Sequence, residues 1–432
     1  MPAALIRRVL LCLLVAGPAV AIRVLGVEFS AVAEVVVFGA AVVAAAFLLA
    51  WAAEAAQKDI SGALAIALLA LIAVLPEYAV DLYYAYRSGS DPSYLHFAAA
   101  NMTGSNRLLL GFGWPLVVVV ALVVARRQAR RDDAPTPNAL ELPVASRRDV
   151  GFLAILGLVA FVIPLIGSIP LWFGVGLIVV FGLHLWRAAQ TYDADQEEFV
   201  GAAALIAGLD ARPRRILVVA MFLVSGAAIL ISAEPFADAL VASGSALGID
   251  SYFLVQWLAP LASEAPEFII AVMFAARGKG VAAIGTLIAS KVNQWSLLVG
   301  SLPVAHFLGG GPSSLALDSR QVEEFTLTAT QTLLGVAIIL ALRFHWWSAI
   351  GLAALFGVQF LITDTTGRYV LSAIHLALTI GFLVAHRHSI LPTLVAPFHE
   401  QPAGDQDEPK TVMDTHAEDD PDEALSCHPH GR

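Results

Sequence analysis

Stretches of about twenty mostly apolar residues recur along this chain from Val9 to Val384 with only short polar interruptions. That recurrence dictates helices in a bilayer. Inside lipid every backbone N–H and C=O must be paired within the structure, which a helix achieves and irregular chain does not. Twelve such stretches can be drawn, at residues 9–25, 31–56, 61–86, 96–125, 150–167, 170–188, 214–243, 250–276, 281–308, 327–344, 346–363 and 368–386. Only 14% of the 432 residues are charged, and the mean hydropathy of +0.77 lies outside the soluble globular range. The expected class is an all-α polytopic membrane protein of the cell membrane, with the lipid bilayer as its first partner.

Lysine and arginine placement sets the expected orientation, because short cytoplasmic loops carry an excess of both. Arg126, Arg127, Arg130, Arg131, Arg147 and Arg148 follow the fourth stretch, and Arg187, Arg212, Arg214 and Arg215 fall in the next loop on that side. Arg7, Arg8, Lys58, Arg277, Lys279, Arg343 and Arg387 join them, against Arg23, Arg87, Arg320 and Arg368 opposite. Twelve spans with both termini cytoplasmic satisfy this bias. Arg7-Arg8, an apolar run and Ala19-Val20-Ala21 also resemble a secretory signal, whose cleavage would remove the first helix only. Glu400 to Glu423 holds ten carboxylates and one lysine, the pattern of a solvated, disordered tail. Cys12 and Cys427 form neither a disulfide framework nor a metal motif, and His96, His184, His306 and His375 are isolated.

The chain also aligns with itself. Leu75-Pro76-Glu77-Tyr78 matches Ala265-Pro266-Glu267-Phe268 at an offset of 267 − 77 = 190 residues. Downstream, the segment from Ala100 to Asn106 matches that from Gly285 to Lys291, at 290 − 105 = 185. Asp59-Ile60-Ser61 echoes Ile249-Asp250-Ser251 before each Pro-Glu helix. The expected organisation is an extra helix or signal-like segment in 1–30, a five-helix unit in 31–190, a cytoplasmic linker in 191–213, a second five-helix unit in 214–364, an extra helix in 365–390 and the tail in 391–432. Five is odd, so the two units cross the membrane in opposite senses. Secondary transporters share that inverted-repeat plan and place their site where the units meet.

A carboxylate deep in a transmembrane helix costs several kcal/mol on lenient scales and so points to a partner, a cavity or a function. Glu77 and Glu267 each follow a proline, which leaves the carbonyl four residues back, Ile72 or Ala262, without its helix donor. Carboxylates beside freed carbonyls suit a hard cation, with Ser105, Asn106, Ser263, Ser290 and Gln294 as further oxygen donors. Gly104, Ser105, Ala289 and Ser290 also serve close helix packing. Glu264, one turn before Glu267, and Asp81, one turn after Glu77, enlarge the acidic group. Two cations, Arg107 and Lys291, stand beside the same serines. Either they pair with the glutamates as a structural lock, or they balance charge during transport. The absence of a Gly-x-x-x-x-Gly-Lys-Ser/Thr loop argues against a nucleotide-driven pump.

The paired motifs resemble those of the calcium/cation antiporter superfamily, the family of sodium/calcium exchangers. That family carries Gly-Thr-Ser-x-Pro-Glu followed by Gly-Asn-x-x-Gly-Ser-Asn in each of two inverted repeats. The resemblance implies that Glu77 and Glu267 are metal-ion ligands, joined by Ser105 and Ser290. Departures fall at the site itself: Ala73-Val74 and Ser263-Glu264 stand for the Thr-Ser that precedes the variable residue and the proline, Leu109 and Gln294 for the closing Asn or Asp, Lys291 for an asparagine and Arg107 for an apolar residue.

The expected activity is secondary antiport, calcium exchanged against sodium or protons by alternating access, with no enzyme activity, no cofactor and no nucleic-acid or nucleotide partner. Sodium/proton antiport on the same fold is the alternative, because a membrane lysine and fewer oxygens favour a lower substrate charge. A non-transporting protein with its glutamates bridged to Arg107 and Lys291 is the second.

Overall fold

The computed structural model describes residues 2–27, 29–59, 75–190, 199, 201–362 and 364–399. Ile60, Ser61, Ile72, Ala73, Val74, the first part of the stretch 61–86, the tail from Glu400 and Cys427 lie outside the described residues.

Helices α1 (Ala3–Leu25) and α2 (Ala31–Ala56) precede α3 (Leu75–Ser90), which carries Pro76 and Glu77 in its first turn. Next come α4 (Ala100–Leu108), a π-helical segment at Leu109–Gly113 and α5 (Trp114–Arg131). Helices α6 (Arg147–Val159), α7 (Val162–Ile166) and α8 (Leu171–Gln190) complete the first half, and the short α9 (Gly201–Ala207) falls in the stretch expected to be a linker. The second half runs through α10 (Ala211–Leu247), α11 (Ser251–Ala276), α12 (Gly280–Asn293), a π-helical segment at Gln294–Leu298 and α13 (Val299–Leu308). It continues with α14 (Ser319–Ile339), α15 (Trp346–Val358) and α16 (Thr365–Ala385). A last helix, α17 (Arg387–Val395), occupies residues at the start of the expected tail.

Eight helical stretches among the described residues are long and apolar enough to cross a membrane. They include α1, α2, α8, α10, α11 and α16, together with the spans Pro92–Arg131 and Val144–Ile166. The stretches expected at 281–308, 327–344 and 346–363 are not among them. The first of these carries Ser290, Lys291, Asn293 and Gln294 at its centre, the second belongs to a helix that opens on Arg320, Glu323 and Glu324, and the third holds a helix of 13 residues. Helix α10 has 37 residues, about 55 Å at the usual rise, well beyond the hydrocarbon thickness of about 30 Å. It stops at Gly248, whose φ of +67° only glycine adopts cheaply, and α11 restarts behind Asp250, which caps the Tyr252 amide.

Two short antiparallel pairs join the halves, β1 (Ala139–Glu141) with β4 (Arg343–His345), and β2 (Ser168–Pro170) with β3 (Ser314–Ala316). A shift of 314 − 139 = 175 residues carries β1 onto β3, and 343 − 168 = 175 carries β2 onto β4, so the two pairs exchange. The π-helical segments are related by 294 − 109 = 185, the offset already found between Ser105 and Ser290.

Many large apolar residues face outwards, and several strongly polar ones are buried. Leu14, Leu165 and Leu361 are each more than 70% exposed, whereas Asp81, Ser105, Asn106, Lys291, Gln294 and Glu324 are inaccessible. A multi-pass membrane protein requires that inversion of the water-soluble pattern, since its outer surface meets lipid.

Candidate cation site

Five segments bring the site together: α3 supplies Glu77, α4 supplies Ser105, α11 supplies Ser263, Glu264 and Glu267, α12 supplies Ser290, and the π turn after it supplies Gln294. The Ser105 hydroxyl lies in short contact with the carboxylates of both Glu77 and Glu264. It has one proton to donate, so it satisfies one carboxylate while accepting from Gln294 Nε2 at 2.9 Å. The same Nε2 lies 2.6 Å from Glu264 Oε1 and 3.3 Å from Glu77 Oε1. Two carboxylates around one hydroxyl repel unless a proton or a cation comes between them. Glu267 stands apart, accepting from Ser290 Oγ at 3.2 Å. Glu264 is therefore the residue opposite Glu77, although the sequence pattern pairs Glu77 with Glu267.

A cavity of about 930 Å³ is lined by Glu77, Ser263, Glu264, Glu267 and Ser290. Glu264 Oε2, Glu267 Oε1 and Gln294 Oε1 are buried acceptors with no hydrogen-bond partner among the described residues. Ser263 Oγ is engaged with the carbonyls of Ala259 and Pro260 in its own helix, and Asn106 Nδ2 with that of Met102. Asp81 is fully buried on α3, with Glu77 and Asn101 in its surroundings. Among the described residues no group of three or more His, Cys, Asp and Glu side chains is gathered closely enough to hold a resident metal.

The two cations differ from the expectation of a lock on the glutamates. Arg107 follows Ser105 by two residues and so points about 200° round the helix. Its guanidinium pairs with Glu324, bonds Gln359 at 3.0 Å and lies 5.0 Å over the Trp257 ring. Arg368 of α16 completes a buried network by pairing with Glu324 and with Glu323. Lys291 is fully buried and donates to the Asn106 carbonyl at 2.5 Å, within electrostatic reach of Glu264 and Glu77. Glu323 and Glu324 escaped the sequence reading, although two carboxylates opening an otherwise apolar helix are a usable signal.

The sodium/calcium exchanger protein model matches residues 30–189 and 217–363, well over half of the chain. The chain belongs to this family. Each matched segment of this exchanger contains one Pro-Glu motif. The structure resembles that of the H+/Ca2+ exchanger CAX, with 36% identity and a TM-score of 0.84, covering 91% of this chain and 98% of that one. The Ca2+/H+ antiporter protein YfkE, at 17% identity and a TM-score of 0.57 over 87% of this chain and 99% of that one, shares the fold. So does the sodium-calcium exchanger NCX_Mj, at 16% and 0.51 over 77% and 98%. Among curated proteins there is no match. The exchanger is thus a secondary active cation antiporter and not an enzyme.

Proposed function

We propose that this exchanger trades calcium for protons, with the carboxylates of Glu77, Glu264 and Glu267 holding one or the other. The observation that carries the reading is the set of unpaired buried acceptors, Glu264 Oε2 and Glu267 Oε1 on residues that line the cavity and Gln294 Oε1 on the amide bonded to Glu264. Calcium takes six to eight oxygens. A proton satisfies the same carboxylates, so the two ions compete for one set of atoms. Ser105, Ser263, Ser290, Asn106 and Gln294 supply neutral oxygens, Asp81 backs Glu77, Lys291 offsets part of the negative charge, and Arg107 anchors α4 through Glu324. The likeness to an H+/Ca2+ exchanger at 36% identity supports protons as the counter-ion.

In this reading residues 31–190 and 214–364 form two inverted five-helix units, with 191–213 linking them and one extra helix at each end, twelve spans in all. Support comes from the equal strand offsets and the exchanged strand pairs. Both termini and the arginine-rich face are cytoplasmic, and the cavity, which reaches Arg148 and Lys279, opens to that side. Sodium/proton exchange is the second reading, favoured by the burial of a lysine, Lys291, next to the site.

Proteoliposomes carrying a calcium indicator decide between them. Calcium uptake driven by a pH gradient and lost in Glu264→Gln and Glu267→Gln supports the proposal. Proton movement that needs sodium and ignores calcium moves the assignment to the second reading. No flux with either ion sinks both.

A further inference from the structure

From the Asp149–His184 pair at the wall of the cavity, we infer that these two side chains are a proton-exchange station between bulk water and the site carboxylates. The inference rests on the calcium/proton reading above and adds to it the route by which protons reach the site.

His184 lies on α8 with 6% of its surface accessible, wedged edge-on against Phe152 at 5.0 Å and beside Phe181 at 6.5 Å. Its Nδ1 is buried without a hydrogen-bond partner among the described residues. The nearest carboxylate oxygen, Asp149 Oδ1, is 3.8 Å away, too far for a direct hydrogen bond and suited to a bridging water. Asp149 opens α6 and its side chain keeps 23% of its surface accessible, so it reaches the bulk while His184 does not. Both residues line the cavity that reaches Glu264 and Glu267.

Among the described residues, the groups facing the imidazole are few. Helix α6 contributes Asp149 and Arg148, whose Nε lies 3.3 Å from Asp149 Oδ1 and whose Nη1 bonds the Arg187 carbonyl at 3.0 Å. Arg187 follows on α8 itself. The second-half segments packed on α8, Gln294–Leu298 and α13, contain one titratable side chain, His306, which is engaged by Ser88 at 2.8 Å. Glu54 and Lys279 line the same cavity.

Imidazole ordinarily titrates near neutrality, at about 6.5, and its two nitrogens allow it to take a proton on one side and release it on the other. A proton taken from bulk water by Asp149 passes through the bridging water to His184 Nδ1. The opposite nitrogen releases one to cavity water, and that proton reaches Glu267 or Glu264 as calcium departs. One proton enters and one leaves; Asp149 returns to its starting state, while His184 is left as the Nδ1–H tautomer and a flip of its ring resets it for the next transfer.

The test is pH-gradient-driven calcium flux in proteoliposomes, for the wild type, His184→Gln and Asp149→Asn, across a pH series and with or without imidazole in the buffer. Removing a positioned proton carrier should slow exchange at least about tenfold, flatten the pH profile and leave flux that added imidazole restores. Asp149→Asn should slow exchange with His184 intact, and it carries the test should His184→Gln fail to fold. Wild-type rate and pH profile in both variants would overturn the relay alone. So would slow, folded variants with an unchanged profile and no imidazole rescue, which is the behaviour of a packing residue. Failure of the wild type to exchange calcium for protons would instead overturn the underlying reading, and the relay with it.

Discussion

Replacing Gly104 by alanine should separate the two halves of the site. Pro260 has no N–H, so the carbonyl four residues back, that of Gln256, lacks its helix donor and faces α4. A Cβ on Gly104 would lie 1.7 Å from that oxygen and 2.7 Å from its carbon. An ordinary C–H···O contact begins near 3.3 Å, so α4 and α11 must part by about 1.6 Å. The two nearest contacts are backbone atoms, so rotating the Gln256 side chain, whose Cγ would lie 2.9 Å away, does not relieve the clash. Overpacking of this kind costs about 1–3 kcal/mol, and the rigidity of both partners puts Gly104→Ala at the upper end. The neighbouring Ser105 bridges α4 to Glu264 on α11. A separation of that size takes the bridge outside hydrogen-bond range, and misplacement by about 1 Å can cost on the order of 10²-fold in rate. Gly285 is the control, because a Cβ there meets nothing within 4 Å, and alanine in a helix interior is worth about 0.5–1 kcal/mol over glycine. Thermal unfolding in detergent and calcium flux in liposomes should show Gly104→Ala less stable and nearly inactive, with Gly285→Ala unimpaired. Wild-type behaviour of Gly104→Ala, or equal damage from Gly285→Ala, would refute the reasoning.

Glu324→Gln should cost about 3–5 kcal/mol by stranding Arg107 in a buried site, and the double variant Arg107→Leu/Glu324→Leu should cost less than the sum of its single changes in a denaturation cycle. Asp59 lies between α2 and α3, where Arg214, at 2.7 and 2.8 Å, and Arg215, at 2.8 Å, hold its carboxyl down at about 2, below its ordinary 3.8. A lowered folded-state value means the contribution is complete above about 3.8 and fades as pH falls towards 2. Asp59→Asn should therefore melt lower at neutral pH by the equivalent of about 2 kcal/mol, with the gap to wild type closing only below about pH 4. A gap that persists unchanged into acid would contradict the ion-pair account.

Sequence made the fold class and the two motif helices legible because apolar runs and the Pro-Glu repeat are local signals. Glu77, Glu267, Ser105 and Ser290 could be named from the self-alignment. Which carboxylate opposes which could not, because α11 contains both Pro260 and Pro266 and the direction of its interior face depends on those breaks. The partner of Arg107 was equally hidden, being 324 − 107 = 217 residues away on α14. His184 reads as isolated in sequence, and only the packing of α6 against the cavity brings Asp149 to it. The π turns after each motif helix leave no compositional mark, yet the second one holds Gln294 between Glu77 and Glu264.

In the proposed cycle calcium and protons compete for the oxygens of Glu77, Glu264 and Glu267. Calorimetric calcium titration of the purified exchanger in buffers of different ionisation enthalpy counts the protons released per calcium bound. Calcium binding should be accompanied by proton release, with the release diminished in Glu264→Gln. Calcium binding whose heat is the same in every buffer, so that no proton leaves as the ion enters, would contradict it.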